Sequence, residues 1–379
     1  MQMKRTHDKH GLHRLWRNGR LALLAGCLAC TAAGCELLPK RGSDAAAPPT
    51  TGATAPVQAV SGKQEPPPAA PAVYRAPLTG LELKQKAVGR PVMVMVNNHP
   101  SARPQSGLTQ ADVLYECLAE GEITRIVAVF QSRSFADPIG PVRSIRPYFI
   151  EMGKGLDAVQ VHAGGSPDAY AQLEREKIDE LDEITNAGPY FWRETFRKAP
   201  HNLYTNLEKI HAGMAKRGLN GSGSDAPVFR FAPTDAEAVE TMGAQAQGAK
   251  KVDVTFLLSS YVVSYAYDEA SHLYKRSING VKHIDLNNNE QLTAANVIVM
   301  GTDHKVLDNE GRLDVRLTGT GQAKLFQQGK VKDVQWKREK ESDPVRYYDQ
   351  GREISLVPGQ THVLIVPMKP SFEGHLKVE

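Results

Sequence analysis

Two arginines dominate the residues able to do chemistry in this chain, in the run Gly140-Pro141-Val142-Arg143-Ser144-Ile145-Arg146-Pro147-Tyr148. A helix starting near Ser144, which Tyr148-Phe149-Ile150-Glu151-Met152 implies, brings both guanidinium groups to its N-terminus. Guanidinium forks, unpaired backbone N–H groups and the helix dipole all favour a phosphate or carboxylate at such a place. The alternative is internal pairing of Arg143 and Arg146 with Asp112, Glu116, Glu120 or Glu122, and the sequence leaves both readings open.

Two further polar clusters lie nearby in the chain. His162-Ala163-Gly164-Gly165-Ser166-Pro167 reads as a strand-to-helix junction. Its glycines permit close backbone approach, and Ser166 either holds an anion or simply caps the helix. Trp192-Arg193 and Arg197-Lys198-Ala199-Pro200-His201 form the other cluster, and Asn97-Asn98-His99 completes a polar edge. Arg143, Arg146, Ser166, Arg193, Arg197, His201 and Asn97 are therefore the candidate ligand-binding residues. His162 and His201 are weak candidates for a general base, because imidazole titrates near neutral pH but neither has a partner fixed by sequence. No G-x-S-x-G, H-E-x-x-H or phosphate-loop spacing is present. Asp285-Leu286-Asn287-Asn288-Asn289-Glu290 resembles half a calcium loop but lacks its glycine and distal acid, so it reads as a solvated turn. No metal and no cofactor are expected.

The elements that must position these residues follow from hydrophobic pattern. Pro91–Val96 is a buried-strand run. Asp112–Leu118 and Ile123–Phe130 flank the Glu120-Gly121-Glu122 turn, and Asp157–Ala163 is a fourth strand. Ser166-Pro167-Asp168 opens a helix with a capping serine, Pro at the first position and an early acid. Asn206 caps another helix running through Lys216. From Val252 onward short alternating runs appear, at Val252–Leu258, Tyr261–Tyr267, His272–Ile278, Val297–Met300, Leu313–Leu317, Val331–Trp336 and His362–Val366. They read as an antiparallel β sandwich or barrel. The expected fold is an α/β (α+β) N-terminal domain, 78–232, a linker or helix, 233–250, and a mainly antiparallel β domain, 251–367, with a tail at 368–379.

The N-terminal region sets the compartment. Lys4, Arg5, Lys9, Arg14, Arg17 and Arg20 precede an apolar run, Leu21–Ala33, that ends at Gly34-Cys35. This is an export signal, too short for a spanning helix of about 20 apolar residues. The small residues before Cys35 resemble a bacterial lipobox, in which the thiol is acylated and the chain cut ahead of it. Ala32 stands where leucine is usual, and Cys27 is the secondary choice. Residues 36–77, rich in Pro and Ala, form a disordered tether.

Export changes the bulk numbers. The whole chain carries a net charge of +4, but the first 34 residues hold six of its 46 Lys+Arg and one of its 42 Asp+Glu. The mature chain keeps 40 basic and 41 acidic residues, so it has no global attraction for nucleic acid. Of four cysteines only Cys117 remains as a free thiol, in the apolar run Val113–Leu118, where a buried structural role is expected.

Together, the runs R-P-V-x-V-M-V-N-N, A-R-P-Q-S-G-L-x-Q-A-D, E-G-x-I-T-R, G-P-V-R-S-x-R-P-Y, H-A-G-G-S-P and R-K-A-P-H-N-L-Y closely resemble the YerB-like bacterial lipoproteins. Tyr267-Asp268, Gln291-Leu292-Thr293, Leu307–Asp314, Gly329-Lys330-Val331 and Pro358–Thr361 extend the resemblance over 78–367. It implies two paired domains of unknown function on a lipid anchor at the outer face of the cytoplasmic membrane, and it assigns no catalytic residue. The function expected is binding of an anionic envelope component, such as a wall polymer or lipid-linked precursor, or of a partner protein. A transferase or hydrolase using His162 or His201, and a structural partner of a membrane complex, are the alternatives.

Overall fold

The computed structural model describes residues 73–87, 89–221, 223 and 228–379. The export signal, Cys27, Cys35 and the tether as far as residue 72 lie outside them.

Strict alternation of apolar side chains on buried strands builds a sheet with two covered faces. In the first half the strands are β1 (Val92–Asn97), β2 (Val113–Leu118), β3 (Thr124–Phe130), β4 (Val159–His162) and β5 (Glu180–Asp182). The helices are α1 (Pro147–Gly155), α2 (Pro167–Glu176) and α3 (Leu207–Arg217). Met93 and Met95 of β1 face a core that holds Phe149 and Ile150 of α1 and Leu173 of α2. Val92, Val94 and Val96 face the opposite core, closed by Leu207, Ile210 and Met214 of α3. Ser166 caps α2 through the Ala169 N–H and Asn206 caps α3 through the Lys209 N–H, as expected.

After α4 (Asp235–Met242) come β6 (Lys251–Thr255), β7 (Val262–Asp268), β8 (Leu273–Ile278), β9 (Asn296–Thr302), β10 (Gly319–Gln327), β11 (Lys330–Arg338), β12 (Arg346–Asp349), β13 (Thr361–Pro367) and β14 (Leu376–Val378). This half is mostly antiparallel, but its strands serve two sheets. A twelve-stranded sheet runs from Arg352–Glu353 through β12, β11, β10, β9, β13, β2, β3, β1 and β4 to β5, with Gln247–Gly248 on β11. β13 pairs parallel with β9 on one side and with β2 on the other, placing Ile365 beside Cys117. The second sheet, Val281–Lys282, β8, β7, β6 and β14 with Thr293–Ala294 on β8, packs against it. Val252, Val254 and Val263 there meet Val297, Val299 and Leu364. The expected Leu313–Leu317 strand is shorter, Leu313–Val315, and pairs with His304–Val306 outside both sheets. Cys117 is fully buried, with burial raising its thiol pKa far above the ordinary value.

Candidate arginine site at the sheet edge

The segment 141–145 lies across the carboxyl ends of the parallel neighbours β1 and β4, the place where α/β sheets most often bind ligands. Arg143 N–H donates to Met95 O at 2.8 Å, and Arg143 O accepts from Ala163 N–H at 3.0 Å. Ile145 N–H reaches Gly164 O at 2.9 Å. Gly164 sits at φ +77°, a left-handed conformation, and a Cβ there would press on Ile184 and approach the Ser144 hydroxyl. These bonds fix where the two arginines emerge. Arg146 then precedes Pro147, the first residue of α1.

The arginines fare differently. Glu120 takes both Nε and Nη2 of Arg146, and Nη1 donates to Ile145 O at 2.7 Å. This bidentate pair holds the Glu120 carboxyl low; burial opposes the shift, but Arg146 outweighs it. Arg143 has no hydrogen bond or ion pair from its guanidinium among the described residues, and its buried Nε is unsatisfied. Burial and the Arg146 charge lower its pKa, with Glu120 pulling the other way.

A third arginine completes the group. Arg125, at the start of β3, stands opposite Asn97 of β1 and is only 7% exposed. One guanidinium nitrogen donates to Ser144 O at 2.6 Å, while its buried Nε has no partner. Burial and then the Arg146 charge push its pKa down to about 10, which still leaves it cationic at neutral pH. Three interacting guanidinium groups thus share one carboxylate, Glu120. Buried charges are ordinarily paired, and here the cationic groups outnumber the carboxylate beside them.

His201 and Asn97 border it. Asn97 Nδ2 donates to His201 Nδ1 at 2.9 Å, and the His99 ring stacks on His201 with centroids 4.6 Å apart. Burial, His99, Arg143 and Arg197 all lower the His201 pKa, so it is neutral at pH 7. With Nδ1 accepting, its proton resides on Nε2. That tautomer donates to an anion and offers no free lone pair to act as a base.

The remaining expected residues have partners within the protein. Arg197 spends its guanidinium on Ala102 O, Pro104 O and the Tyr204 hydroxyl, the last at 2.8 Å. Arg193 is exposed and reaches Asn202 at 3.2 Å and Glu183 at 3.5 Å. Ser166 accepts its own helix's N–H. His162 is fully buried, donating from Nδ1 to Gly164 O at 2.9 Å, with Nε2 3.1 Å from Glu180. The adjacent Asp182 accepts from Gly164 N–H and the Tyr170 hydroxyl; burial raises its pKa, but these bonds and His162 hold it low. Sequence reasoning missed Arg125 and Glu120 as Arg146's specific partner; it placed His99 on the polar edge without its stacking on His201. The available signal was a lone arginine opening the otherwise apolar run Ile126–Phe130.

A second polar cluster joins the halves. Glu116 of β2 accepts from Arg276 of β8 at 2.7 Å, from Thr124 and Tyr261 at 2.6 Å each, and from Asn98 at 3.1 Å. Arg276 also donates to His283 Nδ1 and the Tyr265 hydroxyl, and His283 Nε2–H donates to Gln105 at 2.7 Å. Gln105 in turn donates to Asn97 O at 3.0 Å, linking this network to the arginine site. Among the described residues no His, Cys, Asp and Glu cluster is arranged to hold a metal, and no helix is long and apolar enough to cross a membrane. Asp285 uses its carboxylate on the N–H groups of Gly107, Thr109 and Asn287.

Comparison with known proteins identifies the family. Residues 78–220 match the N-terminal domain, and 252–363 the C-terminal domain, of the protein family of unknown function DUF3048. A protein of Bacillus subtilis (strain 168) described as "Putative lipoprotein YerB" is 38% identical over 295 residues, covering 77% of this chain and 86% of that one. The crystal structure of the YerB protein from Bacillus subtilis superposes with a TM-score of 0.72 at 35% identity, over 80% of this chain and 99% of that one. Two paired domains in the same order, over a shared fold, show that this chain belongs to the YerB family.

Proposed function

We propose that this protein is a lipid-anchored extracytoplasmic binding protein whose arginine site holds a phosphate group of an envelope component. The carrying observation is the pair of buried, unpartnered Nε atoms on Arg125 and Arg143, beside a single carboxylate that Arg146 already occupies. Phosphate suits the site because several oxygens accept from several fixed donors at once. Carboxylate has two oxygens and a single charge, and satisfies fewer of them. The neutral His201, with its proton on Nε2, adds a donor at the rim and supports binding over acid–base chemistry.

The anchor rests on the basic head, the short apolar run and Cys35, together with the relative's description as a lipoprotein. Two acyl signals suffice for stable anchoring where one does not. Cys35→Ser is expected to release the protein from the membrane fraction, and Cys27→Ser to leave it there. Pull-down on immobilised poly(glycerol phosphate) tests the binding. Wild type is retained and Arg143→Ala is lost, whereas equal retention of the two would remove Arg143 from the site.

A further inference from the structure

One surface of the second half carries side chains that the core does not use. Gln322 on β10 stands directly opposite Gln335 on β11, and Gln335 directly opposite Tyr348 on β12. Both glutamines are exposed and Tyr348 is half-buried. Among the described residues, neither amide nor the Tyr348 hydroxyl has a hydrogen-bond partner. The three line a cleft of about 510 Å³, with Phe372 and Glu373 on its wall.

Three carboxylates line the cleft, Asp333, Asp349 and Glu373, and two lysines outside its lining pair with them. Lys324 holds Asp333 at 2.5 Å and Glu373 at 3.1 Å, and Lys332 holds Asp349 at 2.6 Å. The surface therefore offers donors and acceptors together, and with one more carboxylate than ammonium group it has nothing to attract an anion. Amides supply both at one position, which suits hydroxyl and acetamido groups. The Tyr348 ring adds an apolar face with a polar tip, suited to the C–H face of a sugar. Adjacent strands lie about 4.8 Å apart, close to the repeat of a β-1,4-linked pyranose chain. Successive members of the row then meet successive rings.

We propose that this cleft binds an uncharged β-1,4-linked glycan strand lying across β10, β11 and β12. The proposal is independent of the arginine site. Its test is calorimetric titration of the full chain, purified in detergent, with chitotetraose. Wild type is expected to saturate. Tyr348→Ala weakens binding about tenfold through loss of the ring face, and Gln335→Ala weakens it by a similar factor. Tyr348→Phe retains most of the affinity, and Arg143→Ala leaves it unchanged. Failure of wild type to saturate, or wild-type affinity in both alanine variants, overturns the proposal. Poly(glycerol phosphate) competing for the same row also overturns it, because the cleft would then be a second anion site.

Discussion

The Asn97 amide donates to Nδ1 of His201 at 2.9 Å, tying the last residue of β1 to a loop more than a hundred residues further along the chain. The bond fixes which ring nitrogen carries the proton, and the neighbouring His99, Arg143 and Arg197 keep the ring neutral. His201, a ligand-binding candidate from sequence and only a weak candidate base, has its Nδ1 occupied by Asn97 and keeps Nε2–H to donate beside the arginines. Its role depends on its neighbours' charge more than on its own titration.

The two arginines of the 140–148 run should separate in stability measurements. Arg146→Ala strands Glu120 in a half-buried place and is expected to cost about 1–3 kcal/mol. Arg143→Ala removes a charge repelled by Arg146 and is expected to stay within about 0.5 kcal/mol of wild type, or to stabilise. Urea unfolding of both variants distinguishes them, and an equal loss in each would contradict the pairing described.

The Glu116–Arg276 pair is buried at 3.1–2.6 Å bonds on every side that the network supplies. Arg276→Met leaves Glu116 charged and unpaired, with an expected loss of about 3–5 kcal/mol. Glu116→Gln combined with Arg276→Met should recover much of that loss, since replacing both members of a buried pair is far cheaper than replacing one. A double variant no more stable than Arg276→Met would show that the surrounding hydrogen bonds dominate.

Acid sensitivity follows from His283 and His362. Burial and the Arg276 charge hold both far below the ordinary histidine value of about 6.5. The unfolded chain therefore binds more protons than the folded one below that pH. Stability is full above about pH 6.5 and falls as pH drops, by up to about 1.4 kcal/mol per pH unit for each ring. His283→Gln keeps an acceptor for Arg276 and a donor for Gln105 while removing the titration. Its stability profile between pH 6.5 and 5 should be flatter than that of wild type, and an unchanged slope would assign the effect elsewhere.

Much of the local structure was legible in the residues. The caps at Ser166 and Asn206, the alternating strands and the buried Cys117 are all short-range consequences of side-chain chemistry. Alternation on β8 even places Arg276 inward between Tyr274 and Ile278. What it meets there was not legible, because Glu116 lies 160 positions away. The same distance problem hid the parallel pairing of β13 with β2, which makes one sheet of strands from both halves. β10 escaped because its Gly319-Thr320-Gly321-Gln322 start has no apolar alternation. Arg125 was passed over because a single charge opening a strand looks like an ordinary solvated end until Arg143 and Arg146 are seen beside it.

We propose that Arg125 and Arg143 form an anion site. The most direct measurement is a crystal structure of the protein soaked with tungstate, an electron-dense tetrahedral oxyanion in the role of phosphate. The ion is expected within hydrogen-bond distance of the guanidinium groups of Arg125 and Arg143, and is expected to be absent from Arg143→Ala crystals. Tungstate bound only elsewhere, or bound unchanged in the variant, would contradict it.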